Sequence, residues 1–365
     1  MRNAVVETVV PGVIMNLVKL FNRFPVTGGT CLLAVIASLA WWSGGNIALL
    51  TVNYQVWTGQ FWRPLTTTFP HVNLMHLAFN LYWTWRFGSR IEQVYGPLRT
   101  AGLYALLAVG SSLAEYDFGG QGVGLSGVGY GLFGFLWVLS RRDQRFAGTV
   151  DNQIVVLFIG WFFLCIVLTA KNVMPVGNVA HAAGSLLGLL AGWAVAGRYG
   201  RNPWLCGAVG ATVLALLVAA GSVARPYVNF TEFAGDEYAQ MGYAALTEGR
   251  YEDAVRCLRL ALQRRGGSST WYNLGIAYQK LDRWKEAAAA YQAACGLTRD
   301  DKNVQQALAY ATWKAAQEAG DADNEDKATR LDEGAWEPGR GNDDVREDPL
   351  HENRPPRKKE QTEHP

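Results

Sequence analysis

The placement of charge constrains this chain more than any other feature. No charged residue lies between Arg23 and Arg63, Arg63 and Arg86, Arg99 and Glu115, Asp117 and Arg141, Asp151 and Lys171, Lys171 and Arg198, or Arg201 and Arg225. These gaps hold apolar segments near the ~20 residues that cross a bilayer, some slightly short of it. The net charge of +2 over 365 residues hides this unevenness. With no basic patch, it also argues against nucleic-acid binding. The expectation is an all-α, polytopic membrane helix bundle followed by a small α-helical soluble part.

Seven spans are expected, at about 28–50, 71–88, 99–115, 123–140, 153–170, 177–197 and 203–223. The second carries His71, Asn73, His76 and Asn80, so it must face protein and not lipid. Arg2, Lys19 and Arg23 precede the first span, and Arg86, Arg90 and Arg99 lie between the second and third. Arg141, Arg142 and Arg145 follow the fourth, and Arg198 and Arg201 follow the sixth, whereas the alternate loops hold only Arg63 and Lys171. Because basic loops stay cytoplasmic, the N-terminus is expected inside and the part after span seven outside. The implied domains are a cytoplasmic segment 1–27, a six-span core 28–200, a seventh span 201–224, helical repeats 232–318 and a charged tail 319–365. The tail's composition is that of a disordered segment.

An offset of 33 residues aligns Met241, Gly242, Ala254, Leu258 and Ala261 with Leu274, Gly275, Ala287, Tyr291 and Ala294. Trp271, Leu274, Gly275 and Tyr278 fit W-x2-L-G-x2-Y, and the segment resembles a tetratricopeptide (TPR) repeat. Small residues there let the two helices of a repeat approach closely. Such repeats commonly take a peptide or protein partner, and a spacer of helical hairpins is the plainer alternative. The five cysteines, Cys31, Cys165, Cys206, Cys257 and Cys295, are scattered and show no metal-ligand spacing, so neither a metal nor another cofactor is expected.

Polar groups converge within the spans. His71, His76 and Asn80 head span two, and His181 lies one turn into span six. At about 1.5 Å rise per residue, His76 and His181 sit roughly 5–10 Å below the same outer boundary. Span four opens with Ser126, flanked by Gly124 and Gly127 after a glycine-rich loop. A serine among glycines is ordinarily a helix contact site, as are Gly184 and Gly188, which form G-x-x-x-G. If Gly127 and Gly184 let spans four and six touch, however, Ser126 and His181 meet there. A serine beside a histidine is the nucleophile–base pair of acyl transfer. His76 and Asn80, four apart on one helix face, can join the Ser126 backbone N–H in stabilising an oxyanion. Tyr130, one turn after Ser126, either packs on the imidazole or is an interhelical aromatic. With no Asp or Glu within a span to orient His181, a dyad is implied.

H-x4-H-x3-N, G-x-S-G and A-H-x2-G-x3-G, in that order on alternate spans, resemble the rhomboid intramembrane serine proteases over about residues 26–197. The resemblance implies Ser126 as nucleophile, His181 as base, and His76 with Asn80 as the oxyanion-stabilising pair. It makes His71 the outer histidine of the motif, with a structural or water-retaining role. Trp62-Arg63 matches the first outer loop, spanning 48–70, and Glu92 with Gly96 matches an E-x3-G contact. It gives Tyr130 as the aromatic stacked on the base. The implied partners are the lipid bilayer and transmembrane protein substrates, and the implied location is a bacterial inner or cell membrane. A catalytically inactive relative that binds membrane clients is the alternative. A proton-relaying transporter calls for in-span carboxylates, and a repeat scaffold leaves the histidines unexplained.

Overall fold

The computed structural model describes residues 22–56, 59–196, 203–221, 225, 234–298 and 301–320. The expected tail beyond 320 and most of the expected N-terminal segment lie outside the described residues. Among those described, every regular element is helical. The chain divides into two compact units, residues 1–231 and 232–365.

Helix α1 (Pro25–Trp42) starts on a proline, whose fixed φ suits a first helical position. It stops at Trp42, short of the expected residue 50. Gly44 takes φ 94° and Gly45 N–H turns back to Ala40 O at 2.8 Å. The following loop contains α2 (Arg63–Thr66). The buried Arg63 gathers that loop, donating to Thr51 O at 2.7 Å, Gln60 Oε1 at 2.8 Å, Ala48 O and Gln55 Oε1.

Helix α3 (Leu74–Ala114) is two arms, because Gly96 adopts φ 76° and ψ 170° just before Pro97. Asn73 caps it, its Oδ1 accepting His76 N–H at 2.9 Å. His71 therefore lies in the loop ahead of the helix and not inside a span as expected. The first arm also runs past residue 88, which brings Glu92 into the fold's interior. One π-helical turn, Glu115–Gly119, follows. Then come α4 (Ser126–Arg142), α5 (Asn152–Ala170), α6 (Asn178–Val195) and α7 (Pro203–Ala220). Helices α1, α5 and α6 are each long and apolar enough to cross a membrane, and α5 has the highest mean hydropathy of the three, 2.5.

Helix α4 is the centre of this unit. Phe133 stacks on Phe158 of α5 with centroids 4.4 Å apart, and Trp83, Phe87 and Tyr130 complete the aromatic packing. Against α6 the contact is backbone to backbone. A Cβ on Gly184 would overlap Gly127 O, and one on Gly188 would overlap Gly131 O. A Cβ on Gly134 would lie 2.6 Å from Ser185 O, and one on Gly192 2.9 Å from Phe135 O. Small residues on both faces permit this approach, and dispersion along the shared face holds the helices together.

Helix α1 receives its cap from elsewhere in the chain. Phe24 gives α1 no side-chain cap. Glu92, 66 residues on, accepts Val26 N–H at 2.9 Å, and it accepts Thr27 N–H and Oγ1–H at 2.9 and 2.7 Å. A carboxylate at a helix N-terminus satisfies orphan amides and complements the dipole.

The second unit is α8 (Ala234–Thr247), α9 (Tyr251–Arg265), α10 (Ser268–Lys280), α11 (Trp284–Leu297) and α12 (Lys302–Ala319). Gly242 of α8 faces Leu258 of α9, and Gly275 of α10 faces the Tyr291 ring of α11. The same small-on-large contact recurs in each hairpin, at the positions where the sequence repeats. Val304, Ala307 and Ala311 of α12 close the core over the second hairpin.

Gly188→Ala is expected to lower stability in detergent by about 1–3 kcal/mol or more, because the clash is with backbone that cannot rotate away. Gly29→Ala, where a Cβ meets nothing within 4 Å, is expected to be neutral or mildly stabilising. Thermal unfolding of both variants checks this.

Candidate active site

Ser126 is the first residue of α4, so its backbone N–H is one of the orphan donors of a helix start. The loop before it is fixed at three points. Gly124 N–H donates to Thr67 O at 3.1 Å, and Thr67 Oγ1 donates to Gly122 O at 2.9 Å. Leu125 N–H donates to His71 Nε2 at 3.2 Å. His71 Nδ1 lies 2.8 Å from Phe69 O, which assigns the proton to Nδ1 and leaves Nε2 as the acceptor. His71 is 0% exposed. Its visible work is to hold the residue that precedes Ser126.

Gly124 takes φ 111°, a backbone open chiefly to glycine. A Cβ there would also lie 2.7 Å from His76 Cε1 and 3.3 Å from His71 Cδ2. Both imidazoles thus lie against the loop two residues from Ser126, their rings 4.8 Å apart and edge to face. Asn80 is 4% exposed and turns its Nδ2 to His76 O at 3.0 Å. One of its two amide hydrogens is therefore engaged within its own helix, one turn from His76.

His181 sits in the first turn of α6 and is 3% exposed. Its ring stacks on Tyr130 with centroids 4.4 Å apart and planes 24° off parallel. Both readings open for Tyr130 are found: the ring stacks on His181 and packs edge to face on Phe158 and Phe162 of α5, and Tyr130 Oη donates to Phe158 O at 3.0 Å. Gly127, next to Ser126, faces Ala180, next to His181: a Cβ on Gly127 would lie 3.3 Å from Ala180 Cβ. The two helix starts are therefore adjacent. Among the described residues, neither ring nitrogen of His181 has a hydrogen-bond partner, so the serine–histidine hydrogen bond is not made in this state. Such bonds are commonly long before substrate arrives.

The site's residues come from α3 and the loop ahead of it, the 120–125 loop, α4 and α6, which α4–α6 packing draws to one end. No group of three or more His, Cys, Asp or Glu suited to a metal occurs among the described residues. The sequence reading missed Glu115. It is buried, and its Oε2 accepts Ala180 N–H at 2.8 Å, one residue before His181. Two signals pointed to it: an acid isolated between apolar segments, and a helix opening on Gly177 with no capping side chain.

Residues 58–198 match the Rhomboid domain, and residues 238–266 and 268–301 each match a tetratricopeptide repeat. The Rhomboid protease GlpG of two Klebsiella pneumoniae strains is 33% identical over 134 residues, which is 35% of this chain. The chain spans 46% of the length of those curated relatives. Together with its apolar helices, this makes it a multi-pass integral membrane protein whose membrane unit matches the Rhomboid domain and whose second unit matches tetratricopeptide repeats.

Proposed function

We propose that the chain is an intramembrane serine endopeptidase that cuts transmembrane segments of other membrane proteins. The observation that carries this reading is the meeting of the α4 and α6 starts, with His181 stacked on Tyr130 one turn from Ser126. In the proposed reaction Ser126 Oγ attacks the peptide carbonyl carbon while His181 takes the hydroxyl proton. The carbonyl oxygen becomes an oxyanion. His181 then gives its proton to the leaving amine as the C–N bond breaks. Water, deprotonated by His181, hydrolyses the acyl-enzyme and regenerates Ser126.

The oxyanion needs donors already in place. The Ser126 backbone N–H at the helix start, His76 beside Gly124, and Asn80 one turn further are the proposed set. Asn80 gives one of its two amide hydrogens to His76 O, and the other is the one proposed for the oxyanion. His71 holds Leu125, and Gly124 and Gly127 keep the approach clear of side chains.

The proposed layout is a six-span core over 28–200, a seventh span over 201–224 and repeats over 232–318. By the basic-loop bias the N-terminus is cytoplasmic. The site then opens to the outer face, and the repeats are extracytoplasmic and recruit a protein or peptide partner. The unmade Ser126–His181 hydrogen bond is the one observation that favours the alternative, an inactive relative that binds membrane clients.

Purified protein and a fluorescently labelled single-span substrate test the reading by gel. Ser126→Ala and His181→Ala are each expected to abolish cleavage, and Asn80→Ala to lower it about 10²–10³-fold. Equal cleavage by wild type and both dyad variants would overturn the mechanism. A fluorophosphonate that labels wild type but not Ser126→Ala is expected even where the substrate is a poor one. Absence of labelling in wild type would leave the client-binding reading.

A further inference from the structure

Glu115 touches both limbs of the site. Its Oε2 accepts the Ala180 amide, and a Cβ on Gly177 would lie 3.2 Å from the same oxygen. On its other side, a Cβ on Gly122 would lie 3.0 Å from Glu115 Cγ. The carboxylate therefore fills the space between the glycine loop leading to Ser126 and the first turn leading to His181. Gly177 offers α6 no side-chain cap, and Glu115 supplies one from 65 residues earlier in the chain.

The turn that carries Glu115 is anchored from a second direction. Tyr116 is buried with Val52 and Val56 of the first loop, and the Arg225 guanidinium lies 3.9 Å from the centre of its ring. Arg225 is 1% exposed, and its Nη1 lies 3.8 Å from Asp117 Oδ1. Gly221, just past α7, packs so closely that a Cβ would lie 2.8 Å from the same Asp117 oxygen. A buried arginine beside a buried carboxylate is costly to leave half-paired, which fixes both chain segments relative to each other. Helix α7 and Arg225 lie beyond the residues that match the Rhomboid domain.

We infer that Glu115 is a positioning residue that sets the start of the His181 helix against the Ser126 loop, and that Arg225 holds Glu115's turn, so that α7 is a working part of the site. The inference concerns the dyad of the proposed protease. A 1 Å displacement of such a pair is enough to cost about 10²-fold in rate. Binding of the substrate elsewhere on the protein is not affected by the same displacement.

The test uses the full 1–365 chain in detergent, with two readouts. Steady-state cleavage of the single-span substrate, normalised to fluorophosphonate-titrated sites, gives kcat and KM. Hydrogen exchange reports the amides of residues 179–181 directly. Glu115→Ala is expected to lower kcat about 10–100-fold with KM within about twofold, and to speed exchange at 179–181. Glu115→Gln keeps a carbonyl oxygen for the Ala180 amide and is expected to restore most of both. Arg225→Met removes the guanidinium from beside Asp117 and Tyr116, so it should reproduce the Glu115→Ala pattern, and Asp117→Asn combined with it should recover activity.

Wild-type kcat per titrated site and unchanged exchange in Glu115→Ala would overturn the positioning role. An Arg225→Met variant that behaves as wild type would overturn the coupling to α7. If wild type neither cleaves nor labels, the exchange measurement still decides the inference while the protease reading falls.

Discussion

The membrane unit depends on one constraint: α4 and α6 approach until backbone meets backbone. Gly127 with Gly184, Gly131 with Gly188 and Gly134 with Ser185 form a continuous seam in which no side chain intervenes. Hydrophobic burial gives little preference for one helix arrangement over another in lipid, so contact geometry must select it. The seam does so, and its first step lies beside Ser126 and His181. Fold and site are therefore the same contact read at two places. A shift of α6 by one turn would separate the serine from the histidine even though glycine would again face glycine.

Around this seam, buried charge is used to terminate backbone. Arg63 ties four acceptors of the first loop, Glu92 receives the start of α1, and Glu115 receives the start of α6. Each would be expensive if left unpaired in a low-dielectric interior. Each instead meets groups that the helix or loop geometry leaves unsatisfied, so two costs cancel. His71 follows the same logic with a neutral ring, donating to Phe69 O and accepting from Leu125.

Much of this was legible in the sequence. Charge-free gaps marked the helices, and the 33-residue offset placed Gly242 and Gly275 at equivalent contacts. The spacing of Gly184 and Gly188 announced a contact face before its partner was known. The boundaries were less legible. The charge-free stretch after Trp42 suggested a longer span, but Ser43, Gly44 and Gly45 turn the chain there. His71 was assigned to a span because apolar residues follow it, whereas Asn73 three residues before His76 is the helix cap. The role of Glu115 was harder to read for a different reason. Its partner is a backbone amide 65 residues away, and periodicity carries no record of such pairings. What did not follow from the residues at all was that Asn80 turns back on His76.

The two caps supplied by α3 and its final turn also order the protein's assembly. Synthesis runs from the N-terminus, so the first turn of α1 emerges before Glu92 exists to receive it. That turn must wait, its amides satisfied by water or by the insertion machinery, until the first arm of α3 is made. The start of α6 meets the opposite situation, since Glu115 and the turn around it are already in the membrane when Ala180 arrives. Helix α6 therefore meets a carboxylate that is already made, and a pause in translation between the two would leave that carboxylate, not a helix end, as the exposed liability.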